Sequence, residues 1–335
     1  MATEIWLHGF PIPHYTVQLA VQAERWGFDG LLLADSENLV GDPYVELALA
    51  ARATERLRLG PAVTNPLTRH PAVTAAAIAT LQAESEGRAV LVFGRGDSAL
   101  LQLGLPPATT AELERGLTEL QGFLSGDDVE LKGGMRARMA WIATLHSPKV
   151  PVTVAATGPR TISLGVRYAE HVNFTVGADP HRVSWAVGKA LHAAEGRDDG
   201  VSLGAFVNFA VNPDLRVARN MVRGSAAIFV HYISEAPLDV LSAEDREVVK
   251  QIGVAYDEYS HGLSSANHAE MLPDEFLDRF AVVGDANHCV ERLRELLKLG
   301  LERLVMVPGS RDADPELIAE SNARFASEVL PALRT

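Results

Sequence analysis

The stretch LRLGPAVTNPLTRHP, residues 57–71, sets the reading of the rest of the chain. Leu57, Leu59, Pro61 and Val63 follow the rhythm of a buried strand, and Gly60-Pro61 interrupts it as a bulge or a close backbone approach to a ligand does. Thr64 and Asn65 then offer hydrogen-bonding groups, followed by Pro66, Thr68, Arg69 and His70, and Pro71 opens a helix. Taken alone, the stretch reads equally well as a strand end with turn chemistry and a helix cap. Its weight comes from whether the same strand-loop-helix unit recurs.

Working outward, it recurs from end to end. Short apolar runs at 4–8, 30–34, 89–93, 151–156, 171–176, 202–211 and 303–307 alternate with amphipathic segments, and the opening stretch makes eight. Residues 30–34, GLLLA, are apolar without a break, as expected of a parallel strand covered on both faces. Two excursions interrupt the pattern. Residues 126–150 carry Gly126, Gly133, Gly134 and Pro148 and suggest a small hairpin. Residues 234–278 read as polar and irregular, with Tyr256, Tyr259, His261 and His268. The pattern predicts an α/β protein, a (β/α)8 TIM barrel as a single domain over 1–335 with insertions after the fourth and seventh strands. A doubly wound open sheet is the alternative, but no Gly-x-Gly-x-x-Gly turn follows the first strand.

The totals narrow the function. With 335 residues, 47% of them hydrophobic, the chain can bury a full core. A formal net charge of -13 argues against sequence-independent binding of nucleic acid, which draws its affinity from Lys and Arg. The one cysteine, Cys289, permits no internal disulfide and lies in an amphipathic segment as a small buried residue. The start, MATEIWLHGFPIP, has no basic region followed by an apolar run, and nothing approaches the roughly 20 apolar residues of a membrane span. A cytoplasmic protein without nucleic-acid or membrane partners is expected.

In a barrel the chemistry gathers just past the C-terminal ends of the strands. Those positions hold His8, Asp35-Ser36, Thr64-Asn65, Gly94-Arg95-Gly96-Asp97-Ser98, Thr157-Gly158-Pro159-Arg160-Thr161 and Gly177. The set has hydroxyls, an amide, carboxylates and glycines, and its histidines are too scattered to suggest a metal centre. A Gly-Pro step at a helix start exposes backbone N–H groups and the positive end of the dipole, so 157–161 reads as a phosphate seat. Arg160 adds a charged contact there or faces solvent. Asp35 and Asp97 as a glycosidase pair would leave that seat unexplained.

Three stretches together resemble a known family: DPYVELALAARATERLRLGPAVTNPLTRHPAVTAAAIATL (42–81), GRGDSALLQLGLPPAT (94–109) and AATGPRTISLGVRYAEHVNFTVGADP (155–180). They are similar to the luciferase-like monooxygenase superfamily. The TNP-TRHP and GRGDSA portions most resemble its methylenetetrahydromethanopterin reductase-like branch, whose members use the deazaflavin coenzyme F420. The resemblance implies a flat ring across the barrel mouth, backed by a third-strand bulge with a non-prolyl cis peptide, which by position is Ala62-Val63. It implies cofactor contacts at Asp35, Ser36, Ala62, Val63, Thr64, Asn65, Gly96 and Asp97 on the ring side. Around the phosphate it implies Ala156, Thr157, Gly158, Pro159, Arg160, Thr161, Val176 and Gly177.

His8 stands where the reductases often carry a carboxylate. His8 and Asp97 are the candidates for general acid, the first because its pKa lies near neutrality, the second because a ring and apolar walls raise a carboxyl. The resemblance therefore implies an F420-dependent oxidoreductase moving hydride between the deazaflavin and a small organic substrate. An FMN-dependent monooxygenase and a non-catalytic flavin-binding barrel are the alternatives. The 234–278 insertion is expected to form a lid. Its Glu235, Asp239, Glu244, Asp245, Tyr256 and Tyr259 suit a polar or cationic substrate, or simply a solvated face. A homodimer built through the helices flanking the second and third strands is also implied.

Overall fold

A computed structural model describes residues 3–196 and 200–334. Its strands in chain order are β1 (Glu4–Gly9), β2 (Gly30–Leu33), β3 (Arg58–Pro61), β4 (Leu91–Phe93), β5 (Val129–Glu130), β6 (Arg136–Ala137), β7 (Val152–Ala156), β8 (His171–Phe174), β9 (Ser202–Val211), β10 (Val282–Gly284) and β11 (Arg303–Pro308). β5 and β6 pair antiparallel as the hairpin expected within 126–150. The others make one sheet in the order β3-β2-β1-β11-β9-β8-β7-β4, with β10 added to β9. Parallel bridges Leu59↔Ala89 and Thr64↔Phe93 then link β3 to β4, so the eight expected strands follow one another around a nearly closed parallel (β/α)8 barrel.

The helices start where the sequence offers caps. Asp42, Asp179 and Asp314 each accept backbone N–H bonds at the head of a helix whose first residue is proline. Thr109 and Glu112 form a reciprocal capping box on Thr110–Ser125.

Two departures from the sequence reading concern the long insertion. It is largely helical, with Ala243–Ala255, Asn267–Glu270 and Asp274–Phe280, rather than irregular. Ser242 caps the first of these by accepting from the Asp245 N–H, and only a narrow stripe including Val249 and Ile252 is buried, which the surrounding charges obscure in the sequence. The second departure is β10, which pairs Val282–Gly284 with Phe209–Val211. Three residues are too few to carry a strand periodicity.

Contacts divide the chain into two compact units. One holds β1 as far as Leu7, residues 156–163 and the described chain from Val172 onward; the other holds His8–Ala155 and Leu164–His171. Within the first, Arg303 is buried, donates through Nε and Nη2 to Glu4 at 2.8 and 2.7 Å, and lies over the Trp6 ring at 4.5 Å. Within the second, Gly60 is dictated by the seam between β3 and β4. A Cβ there would sit 2.2 Å from the Val90 carbonyl oxygen. Among the described residues no helix is long and apolar enough to cross a membrane. Cys289 is buried and its thiol is pushed up to about 12 by burial, which leaves it inert as a nucleophile.

Candidate active site

Past Pro61 the third strand leaves its ladder and returns to it. Ala62 donates to the Leu33 carbonyl at 2.6 Å, Thr64 to the Val92 carbonyl at 3.0 Å, and Gly94 to the Thr64 carbonyl at 2.9 Å. Ala62 and Val63 form the bulge between these bonds, and the peptide joining them is cis. The glycines of the Gly94-Arg95-Gly96 loop let β4 close against it. A Cβ on Gly94 would lie 2.7 Å from Val63 Cγ1, and one on Gly96, whose φ is +74°, 2.9 Å from the Asn65 Cβ.

His8, at the end of β1, places Nε2 3.1 Å from the Ala62 carbonyl oxygen. A carbonyl only accepts, so Nε2 carries the proton. Burial pulls the imidazole pKa below its ordinary value, with the Ala62 bond opposing in part, and the ring is neutral at neutral pH. The sequence reading valued His8 as an acid; the geometry commits its Nε2 proton to the bulge.

Asp35, expected beside the ring, is the most enclosed carboxyl of the group. It is 2% exposed, and neither carboxylate oxygen has a hydrogen-bond partner among the described residues. Burial raises its pKa to about 6; the nearby Thr64 hydroxyl and Arg69 offset this, while Glu37 and Asp42 add to it. The buried Thr64 and Tyr44 hydroxyls are likewise unpartnered. Arg69 is held by Asp42 at 2.6 Å and lies over the Tyr44 ring at 4.9 Å. Ser36 reaches Ser98 at 3.1 Å between their hydroxyls, tying the loop after β2 to the loop after β4, where Asp97 is half-buried. Asn65 is occupied locally. Its Oδ1 accepts from the Leu67 and Thr68 N–H groups, both at 2.9 Å, and shapes the loop.

In the other unit, residues 156–158 run beside 175–177. Thr175 donates its N–H to the Ala156 carbonyl at 2.9 Å, and the Thr157 and Thr175 hydroxyls meet at 2.7 Å. Helix Pro159–Tyr168 starts directly after Gly158. A Cβ on Gly158 would meet only the Ala236 methyl, at 4.0 Å, so the space above this helix start is open. Val176 is buried and Gly177, at φ +79°, lies against the Phe280 ring, where a Cβ would clash at 2.4 Å. Thr161 is buried and Arg160 is exposed, with its side chain in the solvent-facing of the two positions expected of it. A buried arginine of this unit besides Arg303 is Arg182, which sequence reasoning passed over because a charge in the first turn of a helix ordinarily faces water.

Residues 4–303 match the family described as luciferase-like monooxygenase. The chain is 31% identical to a 5,10-methylenetetrahydromethanopterin reductase from Methanolobus tindarius, over 88% of this chain and 89% of that protein. It is 28% identical to an F420-dependent glucose-6-phosphate dehydrogenase from Intrasporangium calvum, over 96% and 95% respectively. Its fold is similar to that of the coenzyme F420-dependent tetrahydromethanopterin reductase from Methanopyrus kandleri, with a TM-score of 0.78 over 99% of this chain and 100% of that one, at 23% identity.

Proposed function

The chain belongs to the luciferase-like monooxygenase family, and we propose that within it the protein is an F420-dependent oxidoreductase acting on a small organic substrate. The observation that carries this reading is the bulge at Ala62-Val63 together with Asp35, a buried carboxyl with no partner for either oxygen among the described residues. Such groups ordinarily mark a place where a ligand completes the hydrogen bonding. Relatives along nearly the whole chain, among them an F420-dependent dehydrogenase, support the same reading.

Bound F420 supplies the carbon that gives or takes hydride. The protein supplies position and a proton. His8 holds the Ala62 carbonyl and with it the bulge against which the ring would rest. Asp35, with a pKa of about 6, exchanges a proton near neutrality, and Asp97 is a second carboxyl on the loop after β4. Ser36, Thr64 and the backbone of Gly96 complete the ring side. The open helix start at Gly158, with the Thr157 and Thr175 hydroxyls beside it, suits the phosphate. Ala156, Pro159, Thr161, Val176 and Gly177 shape that seat. We further read the protein as cytoplasmic and as a homodimer, the latter because helices Pro43–Ala53 and Pro71–Glu84, which flank β2 and β3, expose Val45, Leu49 and Val73.

The test is a fluorescence titration of the purified protein with F420 and with FMN, beside mass spectrometry of any copurified cofactor. Tight F420 binding with negligible FMN binding is expected. A preference for FMN would make the protein a flavin monooxygenase instead, and binding of neither would remove the cofactor assignment.

A further inference from the structure

We propose that the Nε–Nη2 edge of Arg182 receives an oxyanion on the acidic side chain of the cofactor, beyond the phosphate seated at Gly158. The inference rests on the F420 reading above. Arg182 lies in the first turn of helix Pro180–Ala193 and is 0% exposed. Its Nη1 donates to the Pro237 carbonyl at 3.1 Å, and its guanidinium lies 5.3 Å from the centre of the Trp185 ring. Nε and Nη2 have no partner among the described residues.

Those two nitrogens form the side-on edge of the guanidinium, which grips a carboxylate or phosphate with two parallel N–H···O bonds, while the end-on edge is compromised by the Nη1 bond to Pro237. Nor does Arg182 form an ion pair with a carboxylate among the described residues, although Asp179 and Asp239 lie near enough to favour its charge. Asp179 spends its Oδ1 on the backbone N–H groups of His181 and Arg182, at 2.8 and 3.1 Å, and Asp239 acts only from a distance. Burial draws the Arg182 pKa down to about 10, yet the group is still cationic at neutral pH. A buried cation with its bidentate edge unused is an anion receptor awaiting its anion.

The neighbourhood indicates which anion. Pro237, which Arg182 holds, follows Ala236, the residue a Cβ on Gly158 would meet at 4.0 Å. One short piece of the insertion thus borders the space at Gly158 and holds the arginine. The side chain of F420 continues from its phosphate into a string of carboxylates, so an anion seated at Gly158 is followed by further anions within a few bonds. Arg182 takes one of these, and the 236–237 segment closes over both.

The experiment compares F420 with F0, the same chromophore lacking phosphate and tail, in the wild type and in Arg182→Gln and Arg182→Lys. Wild type should bind F420 more tightly than F0. Arg182→Gln should lose roughly 30-fold in F420 affinity, the worth of a charge-assisted pair, with F0 binding unchanged. Arg182→Lys should recover part of the loss. The melting temperature of cofactor-free Arg182→Gln should equal or exceed that of the wild type, since an unpaired buried charge has been removed. Unchanged F420 affinity in a folded Arg182→Gln protein would overturn the proposal. So would a parallel loss of F420 and F0 with a lowered melting temperature, which would make Arg182 only a clasp for Pro237. Unchanged F420 affinity combined with loss of stabilisation by inorganic phosphate would assign the fork to some other oxyanion and equally overturn it. If wild type binds neither F420 nor F0, the F420 reading itself fails and takes this inference with it.

Discussion

Replacing Asp35 by Asn separates the cost of this carboxyl from its use. Its pKa rises from 3.8 to about 6 on burial, so once both states are ionised the folded protein is destabilised by about 3 kcal/mol relative to an ordinary carboxylate. The sign follows from the direction of the shift. Below about pH 4 the group is protonated in both states and costs nothing; between about pH 4 and 6 the unfolded chain ionises first and stability falls as pH rises; above that the full penalty applies. Asp35→Asn cannot ionise and escapes it. For a chain of 335 residues, about 3 kcal/mol corresponds to roughly 4 °C in Tm.

The cofactor-free variant should therefore melt roughly 4 °C above wild type at pH 8, with the gap closing toward pH 4.5. Meanwhile its F420-linked turnover should fall about 100-fold or more if Asp35 handles the proton. Thermal unfolding across pH 4.5–8 and steady-state absorbance of F420 read the two effects separately. A variant no more stable than wild type at pH 8, or a gap that does not change with pH, would refute the burial argument. Undiminished turnover would refute the assignment of the proton.

Other outcomes follow from individual contacts. Gly94→Ala places a methyl 2.7 Å from Val63 Cγ1 and should lower F420 affinity about tenfold by displacing the bulge, as a fluorescence titration would read. Thr157→Val removes the hydroxyl that meets Thr175 at 2.7 Å; F420 affinity should drop about tenfold while F0 affinity holds, because one hydroxyl bond to the phosphate is lost. Val45→Glu combined with Leu49→Glu puts two charges on the exposed apolar face of Pro43–Ala53. Size-exclusion chromatography should then show a monomer, whereas an unchanged elution volume would place the dimer contact elsewhere.

Much of the architecture was legible before any coordinates. The β2 run GLLLA and the Asp-Pro helix starts at 42–43, 179–180 and 314–315 act through near neighbours in the chain, so local pattern specifies them; the Gly60 interruption was visible too, but its cause, the Val90 carbonyl across the seam, was not. β10 was not legible, because its three residues are a strand only by virtue of Phe209–Val211 alongside. Nor was the helix Ala243–Ala255, whose buried stripe is narrow enough to be hidden by its charges.

At the site the division is sharper. Residue types and loop positions marked His8, Asp35, Asp97 and the Gly158 turn as places where chemistry gathers, but not what each does. Arg160 and Arg182 both stand in the first turn of a helix after a barrel strand, and nothing in the local sequence separates them. One is exposed; the other is enclosed by Trp185 and Pro237 and left with an unused edge. His8 was chosen for its titration range, yet the carbonyl of Ala62, 54 positions away, decides where its proton goes. Burial and electrostatics are sums over residues that the fold brings together from far apart, so the sequence by itself determined which strand-end loops collect the polar groups, and only the tertiary structure decided which of those groups are buried, which are paired and which are not.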